Sequence, residues 1–251
     1  YFGALKGTYV VSESYTAKII GSIYHSKEQE HYDIFAEYRL GEVNTDIGGE
    51  DLGEVEFTEG IGSQLTHARN DLDALFFNLE HKGLLTIEDN NIEYGIKYTH
   101  QDIRDRIQEY EVIDSAGFSI RPPIGDSGNN QPYDPFISPI VPYTSVRATN
   151  DVQIDHISGF LQWSRRTTLG NSELWLNAGL RAHNWTVGGK GLTSSNQTVF
   201  SPRAQVSLKP DWEADMLFRV SGGFYHQPPL YRELRDSLGI VHPEVKAQQS
   251  I

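Results

Sequence analysis

The sequence contains no cysteine, one methionine and no long apolar run. Without cysteine, the chain can form neither a disulfide framework nor a thiolate metal site or nucleophile. A membrane-spanning helix needs roughly 20 consecutive apolar residues, and no uninterrupted apolar stretch approaches that length. A helical membrane protein is therefore excluded. A β-barrel is not, because a barrel strand needs only every second residue to be apolar.

Positive charge is also scarce. The sequence has 21 Lys and Arg residues against 34 Asp and Glu residues, which gives a formal net charge of -13. Binding to nucleic acid requires a basic surface, so we expect no nucleic-acid partner. The length of 251 residues fits one large all-β domain or one to two ordinary domains. The sequence begins at Tyr1 without a secretory signal and ends in what reads as the opening of a strand, so we expect a fragment.

Apolar and polar residues alternate in segments of about ten residues, the length of a tilted strand that crosses a bilayer. In the segment 174–183, Leu174, Leu176 and Leu180 share one face, while Arg181 and His183 share the other. The segments 92–99 and 216–225 show the same division. Alternation therefore predicts one polar face that carries Lys97, Arg181, His183, Arg219 and Tyr225.

Connections of two lengths separate these segments. Tight turns are predicted at Ser12–Ser14, Glu88–Asn91, Gly170–Ser172 and Asp211–Asp215. Long connections are predicted at Ser26–Asn70, Ser115–Asp151, Gly188–Gln197 and Gln227–Val245. Short turns on one side and long loops on the other are typical of a bacterial outer-membrane barrel. We expect about eight strands and the start of a ninth, one of which continues through Ile92–Tyr110. Alternation alone fits a soluble β-sandwich equally well.

Several short strings point to a family. In order along the chain they are Ser26–Glu30 followed by Tyr32–Ile34, Asn78–Gly83, Tyr110–Gly117, Phe200–Arg203, Phe224–Pro229 with Tyr231–Leu234, and Val245–Ser250. In this order they resemble the barrel of TonB-dependent receptors from Bacteroidetes-type bacteria, over nearly the whole chain. The resemblance implies an all-β fold: an antiparallel transmembrane β-barrel of 22 strands, with long extracellular loops and short periplasmic turns, around a globular plug. Residues 1–251 would be the central part of that barrel, without the plug.

The implied function is active import of a scarce nutrient across the outer membrane of a Gram-negative bacterium, with energy supplied through TonB. The cargo stays open among an iron chelate, cobalamin, a peptide and a glycan. The implied partners are outer-membrane lipid, the plug, the TonB complex through parts outside this chain, and a surface lipoprotein lid. Two alternatives stay open: an extracellular all-β module that binds or hydrolyses carbohydrate, and a structural surface barrel without transport.

The polar-face residues Lys97, Arg181, His183, Arg219 and Tyr225 are the expected contacts with the plug or a ligand. The segment 230–235 is a candidate short helix over the lumen mouth. There Arg232 and Arg235 would meet an anionic ligand, with simple surface charge as the alternative.

Other motifs are less specific. An acidic, glycine-rich loop offers hard oxygen ligands for calcium, or is simply a solvated loop; its carboxylates are Asp46, Glu50, Asp51 and Glu54. The segment Phe118–Tyr143 is rich in proline and aromatic residues and is a candidate ligand platform. Ser115 and Ser237 lie in Asp-Ser-small motifs that resemble O-glycan acceptors. Histidine spacing suits no metal site, and no serine has a nucleophile-elbow context. We therefore expect neither enzymatic activity nor a required cofactor.

Overall fold

The structure is a computed structural model that describes residues 1–115, 118–119 and 142–251. Eleven strands and one short 3-10 helix, Tyr231–Leu234, make up the described fold. The strands are β1 (Phe2–Ser12), β2 (Tyr15–Val43), β3 (Val55–Ile87), β4 (Asn90–Ser115), β5 (Phe118–Ser119), β6 (Thr144–Leu169), β7 (Ser172–Gly189), β8 (Ser195–Lys209), β9 (Phe218–Gly223), β10 (Tyr225–Gln227) and β11 (Gln248–Ser250).

One antiparallel sheet dominates the fold. Its strands pair in the order β1-β2-β3-β4-β6-β7-β8-β9, so each long strand pairs with the next along the chain, and β5 pairs with β4. The strands β10 and β11 form a separate two-stranded sheet. This arrangement confirms the predicted all-β antiparallel fold. The edges of the main sheet are β1 and β9.

Successive connections lie alternately at the two ends of the sheet. Residues 13–14, 88–89 and 170–171 form tight turns, and residues 210–217 join β8 to β9. Glu88 and Gly170 take positive φ angles of 52° and 62°, as is common in two-residue hairpin turns. The other end carries the connections 44–54, 190–194 and 228–247, together with the segment between β4 and β6. The connections 44–54 and 228–247 fit the predicted alternation of lengths, but 190–194 is shorter than 210–217, so the alternation is present only in part.

The predicted long loop Ser26–Asn70 was wrong. The strands β2 and β3 stay paired from Ser26 opposite Ala74 to Val43 opposite Val55, and only residues 44–54 connect them. In this hairpin, polar pairs between the two strands replace the apolar alternation. These pairs include His25 with Asp73 at 2.7 Å and Gln29 with Asp71 at 2.9 Å. Such pairs stabilise a sheet without an apolar face. The predicted loop Ser115–Asp151 was also too long, because β6 begins within it, at Thr144.

The two faces of the sheet differ in polarity near the short turns. The pairing register puts one set of alternate residues on what we call the apolar face, where large side chains are 47% to 81% exposed: Leu5, Ile19, Leu79, Ile96, Ile157, Leu161, Leu180, Phe200, Val206 and Val220. The opposite side, the polar face, carries Lys18, Lys97, Arg181, Arg203 and Arg219 at the same level. Most exposed apolar side chains at this end therefore lie on one face and most cations on the other; Val10 and Leu84 are exposed apolar residues of the polar face.

The buried core lies on the polar face at the opposite end, near the long connections. Ile103, Val152 and Trp185 are at most 1% exposed there. The connection 228–247 covers them and contributes Leu234 and Val241 to the same cluster. The core therefore forms between the sheet and its own last long connection.

Gly83 leaves room for the ring of Tyr94 on the apolar face. A Cβ atom at Gly83 would lie 2.3 Å from Tyr94 Cε1, and the Tyr94 hydroxyl bonds that of Tyr15 at 2.6 Å. We expect Gly83→Ala to displace this ring and to lower the free energy of unfolding by about 1–3 kcal/mol. Chemical denaturation measures the effect. Gly21→Ala is the matched control, because no atom lies within 4 Å of its added Cβ; equal losses in both variants would contradict the prediction.

Candidate functional site

The connection 228–247 is held in place by its own backbone and by short polar contacts. In the 3-10 turn Tyr231–Leu234, the Glu233 carboxylate accepts a hydrogen bond from the Leu230 amide at 2.8 Å. The Asp236 carboxylate accepts hydrogen bonds from the amides of Leu238 and Ile240, both at 2.9 Å. The predicted short helical segment at 230–235 is therefore present as one 3-10 turn.

A buried carboxylate joins this connection to the sheet. Asp105 of β4 is 5% exposed and accepts hydrogen bonds from the Tyr231 hydroxyl at 2.6 Å and from Arg235 Nη1 at 2.5 Å. The Arg235 guanidinium also lies 5.4 Å from the centroid of the Tyr231 ring. Burial, and then the Asp105 carboxylate, raises the pKa of Tyr231, so Tyr231 remains a donor at ordinary pH. We call Asp105, Tyr231 and Arg235 the Asp105 cluster.

Arg232 lies outside this cluster, in an acidic recess. Its side chain is 79% exposed and its Nη2 atom is 4.0 Å from Glu28 Oε2. The recess has a volume of about 320 Å³, and its carboxylates belong to Glu28, Glu30, Asp71, Asp105, Glu109 and Asp236. An anion placed beside Arg232 would meet these carboxylates. These surroundings therefore favour the alternative in which Arg232 is a simple surface charge over the one in which it contacts an anionic ligand.

Lys97, Arg181 and His183 lie together on the polar face, as the alternation predicts. Ser158 of β6 pairs with Lys97 on one side and with His183 on the other. The Arg181 guanidinium lies 5.7 Å from the centroid of the Phe160 ring. A recess of about 260 Å³ is lined by Lys97 and Arg181, together with Lys82, Glu80 and Phe160 among others.

His156 is a member of this group that the sequence pattern did not single out. Its Nε2 atom lies 2.9 Å from Nδ1 of His183, and the two rings are stacked with centroids 5.1 Å apart. The strand parity of β6 would place His156 on the polar face. Its contact with His183 follows only from the register, which sets His156 beside Trp185.

Arg219 and Tyr225 are separate from that group. Arg219 shares the polar face but lies closer to the short turns, where its Nε donates to Ser207 Oγ at 3.3 Å. The alternation breaks at Phe224, between β9 and β10. His226 therefore lies against the polar face, 3.1 Å from Ser201 Oγ, while Tyr225 is half exposed and pairs with Ser250.

The candidate calcium loop does not form a cage. Within residues 1–115, 118–119 and 142–251, no three His, Asp or Glu side chains are placed to hold a metal ion. Asp46, Glu50, Asp51 and Glu54 occupy the exposed connection 44–54, where the amide of Asp46 donates to Asn44 Oδ1 at 2.9 Å. The same described part of the chain has no helix long and apolar enough to span a membrane.

Two further predicted features lie at or beyond the limits of the described residues. Most of the aromatic and proline-rich segment Phe118–Tyr143 is outside them, and so is Ala116 of the motif at Ser115. Ser237 is exposed in the connection 228–247.

The contact between Asp236 and His242 should make this connection sensitive to pH. Their carboxylate and imidazole lie 3.1 Å apart, and this hydrogen bond raises the pKa of His242 and lowers that of Asp236. The contact therefore stabilises the connection while both groups are charged. It is lost as pH rises through the pKa of His242, and also as pH falls through the pKa of Asp236.

We expect amide hydrogen exchange within residues 236–242 to be faster at pH 8 than at pH 5.5, after correction for intrinsic exchange. His242→Gln should abolish the difference, and its persistence in that variant would contradict the assignment.

No family model matches the chain, and a comparison with curated proteins finds no similar sequence.

Proposed function

We propose that this chain is part of the wall of an outer-membrane β-barrel that imports a nutrient, as in TonB-dependent receptors. The observation that carries the proposal is the exposed apolar face, which extends over eight paired strands from Leu5 in β1 to Val220 in β9. Soluble monomers rarely expose a continuous apolar patch larger than a few hundred Å². Lipid would cover this face.

The dimensions of the apolar face support a bilayer. On β3, apolar-face positions run from Leu75 to Ile87, which are 13 residues. At about 3.3 Å per residue this is roughly 40 Å along the strand, or about 30 Å across the membrane at a tilt near 45°. Beyond Leu75 the same face becomes charged at Asp73 and Asp71, as expected for a strand that continues into water.

Aromatic side chains lie near both borders of this band. Tyr15 and Trp163 are close to the short turns, where Trp163 Nε1 donates to Asn90 Oδ1 at 3.0 Å. Tyr98 lies towards the other border, where its hydroxyl donates to Asp155 Oδ1 at 2.6 Å. Aromatic girdles at both interfaces are typical of outer-membrane barrels.

The polar face would then line the lumen, where Lys97, Arg181 and His183 contact a plug or a passing ligand. The connections 44–54, 190–194 and 228–247 would lie outside the cell and take part in ligand capture. A soluble carbohydrate-binding sandwich would need a second sheet against the apolar face. The connection 228–247 instead packs on the polar face, which favours the barrel.

The test uses the full-length protein that carries this chain. It should fractionate with the outer membrane and require detergent for extraction; partition into the aqueous phase without detergent would refute the barrel. Growth of a deletion strain on limiting iron chelates, cobalamin, peptides and glycans then tests transport. Loss of growth on one of them supports import. Normal growth and normal uptake on all of them would leave a structural barrel.

A further inference from the structure

Beyond the apolar band, the side of the sheet that carries the apolar face becomes charged on four neighbouring strands. Lys27 of β2 pairs with Asp73 of β3. Arg104 of β4 pairs with Asp73 on one side and with Asp151 of β6 on the other. Cations and carboxylates thus alternate across the sheet at this level. These four residues are among those that line a recess of about 540 Å³.

Only half of this row is neutralised by contacts within the sheet. Lys27 Nζ lies 3.4 Å from Asp73 Oδ2. Arg104 is 71% exposed, and within the described part of the chain it has one carboxylate within 4 Å, that of Asp102 at 3.9 Å. Among the same residues, no cationic side chain lies within 4 Å of the Asp151 carboxylate, although Arg104 is directly opposite. Arg104 and Asp151 therefore lie side by side without closing on each other.

Asp102 extends this arrangement towards the band. It pairs with Leu75, the last apolar position on β3. Its Oδ1 atom is buried and has no hydrogen-bond partner among the described residues. A buried polar atom without a partner in the protein indicates a donor from outside it, such as a water or a ligand. Two carboxylates that lack a hydrogen-bond donor thus flank one exposed guanidinium. We call Arg104, Asp102 and Asp151 the border site.

In the proposed barrel, the border site lies at the depth of lipid headgroups. Headgroups add roughly 5–7 Å to each side of the hydrocarbon core. On β3, Asp73 is two residues beyond Leu75, which is roughly 5 Å of height at a tilt near 45°. The guanidinium of Arg104 leans towards the band, since the carboxylate that it approaches belongs to Asp102. A long cationic side chain that bends in this way keeps its charge at the interface.

The chemistry of the border site selects a headgroup with charges of both signs. A guanidinium binds phosphate oxygens in a bidentate manner, but Asp102 and Asp151 would repel a group that carries phosphate alone. A lone ammonium group would meet the opposite problem at Arg104. Phosphoethanolamine carries a phosphate and a primary ammonium two carbon atoms apart, and the N–H donors of that ammonium suit the two carboxylates. A choline headgroup carries the same charges without any N–H donor.

We infer that the border site binds the phosphoethanolamine headgroup of a lipid that covers the apolar face. The phosphate contacts Arg104, and the ammonium donates to Asp102 and Asp151. The inference rests on the proposed function, in which lipid meets this face, and it adds which headgroup the sheet selects at this point of its border.

Native mass spectrometry of the full-length protein tests the inference. The protein is released from bilayers that contain equal amounts of phosphatidylethanolamine, phosphatidylcholine and phosphatidylglycerol with identical acyl chains, and the retained lipids are identified. We expect phosphatidylethanolamine to be retained several-fold more often than either of the others, because only its headgroup satisfies both the guanidinium and the carboxylates. Equal retention of the three lipids would overturn the inference.

Substitutions separate this site from a general affinity for lipid. Arg104→Gln should abolish the preference for phosphatidylethanolamine. The double variant Asp102→Asn with Asp151→Asn should retain phosphatidylglycerol equally well, because no carboxylate of the site then repels an anion. Arg165→Gln is the matched control and should keep the preference, since Arg165 is exposed on the same side of the sheet near the short turns.

The inference and the proposed function fail through different results. A preference that survives in both site variants would place the lipid elsewhere and overturn the border site, and so would displacement of the lipid by an equal concentration of soluble phosphoethanolamine. A protein that enters the bilayers without any headgroup preference refutes the border site alone. A protein that stays in the aqueous phase without detergent refutes the barrel, and the border site with it.

Discussion

Ile19→Arg should lower the free energy of unfolding in lipid bilayers by about 2–4 kcal/mol, which is the cost of a cation on the lipid face of a barrel near the midplane. Ile19 is 59% exposed on the apolar face and pairs with His81, close to the middle of the apolar positions on β3. In a soluble protein the same substitution at so exposed a position would change stability by no more than about 0.5 kcal/mol.

The neighbouring residue provides a matched control. Ile20 has the same side chain but lies on the polar face, directly opposite Glu80. Ile20→Arg should therefore cost little, because the new cation faces a carboxylate and water. Unfolding by guanidinium in lipid vesicles, followed by tryptophan fluorescence, compares the two variants. Equal tolerance of both substitutions would remove the main support for a membrane-spanning sheet.

Asp105→Ala should release the connection 228–247 from the sheet. The substitution leaves the Tyr231 hydroxyl and the Arg235 guanidinium without their shared acceptor, and Arg235 is 24% exposed. Removal of one partner of a buried ion pair costs about 3–5 kcal/mol. We expect about 3 kcal/mol here because Arg235 retains some access to water.

Hydrogen exchange measures this release at a defined amide. The His242 amide donates to the Leu234 carbonyl at 2.7 Å, and it should lose most of its protection in Asp105→Ala. Glu109→Ala is the control, since Glu109 is exposed on the same strand and its carboxylate accepts a hydrogen bond from Asn70 at 2.6 Å.

A second substitution tests the origin of the loss. The double variant Asp105→Leu with Arg235→Met replaces the pair with apolar side chains and should recover much of the protection. Full protection in Asp105→Ala itself would show that apolar packing of Leu234 alone holds the connection.

The sequence pattern anticipated the parts of this fold that depend on local alternation. Lys97 and Arg181 share a face because strand parity fixes side-chain direction. The continuation of β4 from Ile92 through Tyr110 was likewise predicted, and the strand extends to Ser115. The pairing of β2 with β3 beyond Ser26 could not be predicted in this way. Charged residues occupy both faces of that hairpin, and which residues they pair with depends on the partner strand.

Contacts between distant segments were beyond local patterns. Asp105 and Arg235 are separated by 130 positions, and only the pairing of the whole sheet brings them together. Tyr225 was misplaced for a local reason. The strand alternation breaks at Phe224, so the residues after it no longer follow the parity of β9. Local parity therefore predicted the strands of the main sheet well, and the connection that folds back onto the sheet poorly.

The two edges of the main sheet have a practical consequence. Among the described residues, β1 and β9 each have a paired neighbour on one side only, so their outer backbone N–H and C=O groups are available to another strand. Unprotected edges of this kind template aggregation, and the apolar side chains of Leu5 and Val220 would reinforce it. Residues 1–251 expressed alone in water should therefore assemble edge to edge into insoluble, amyloid-like material. In the proposed barrel, productive folding would require that other strands cap both edges as the sheet enters the bilayer.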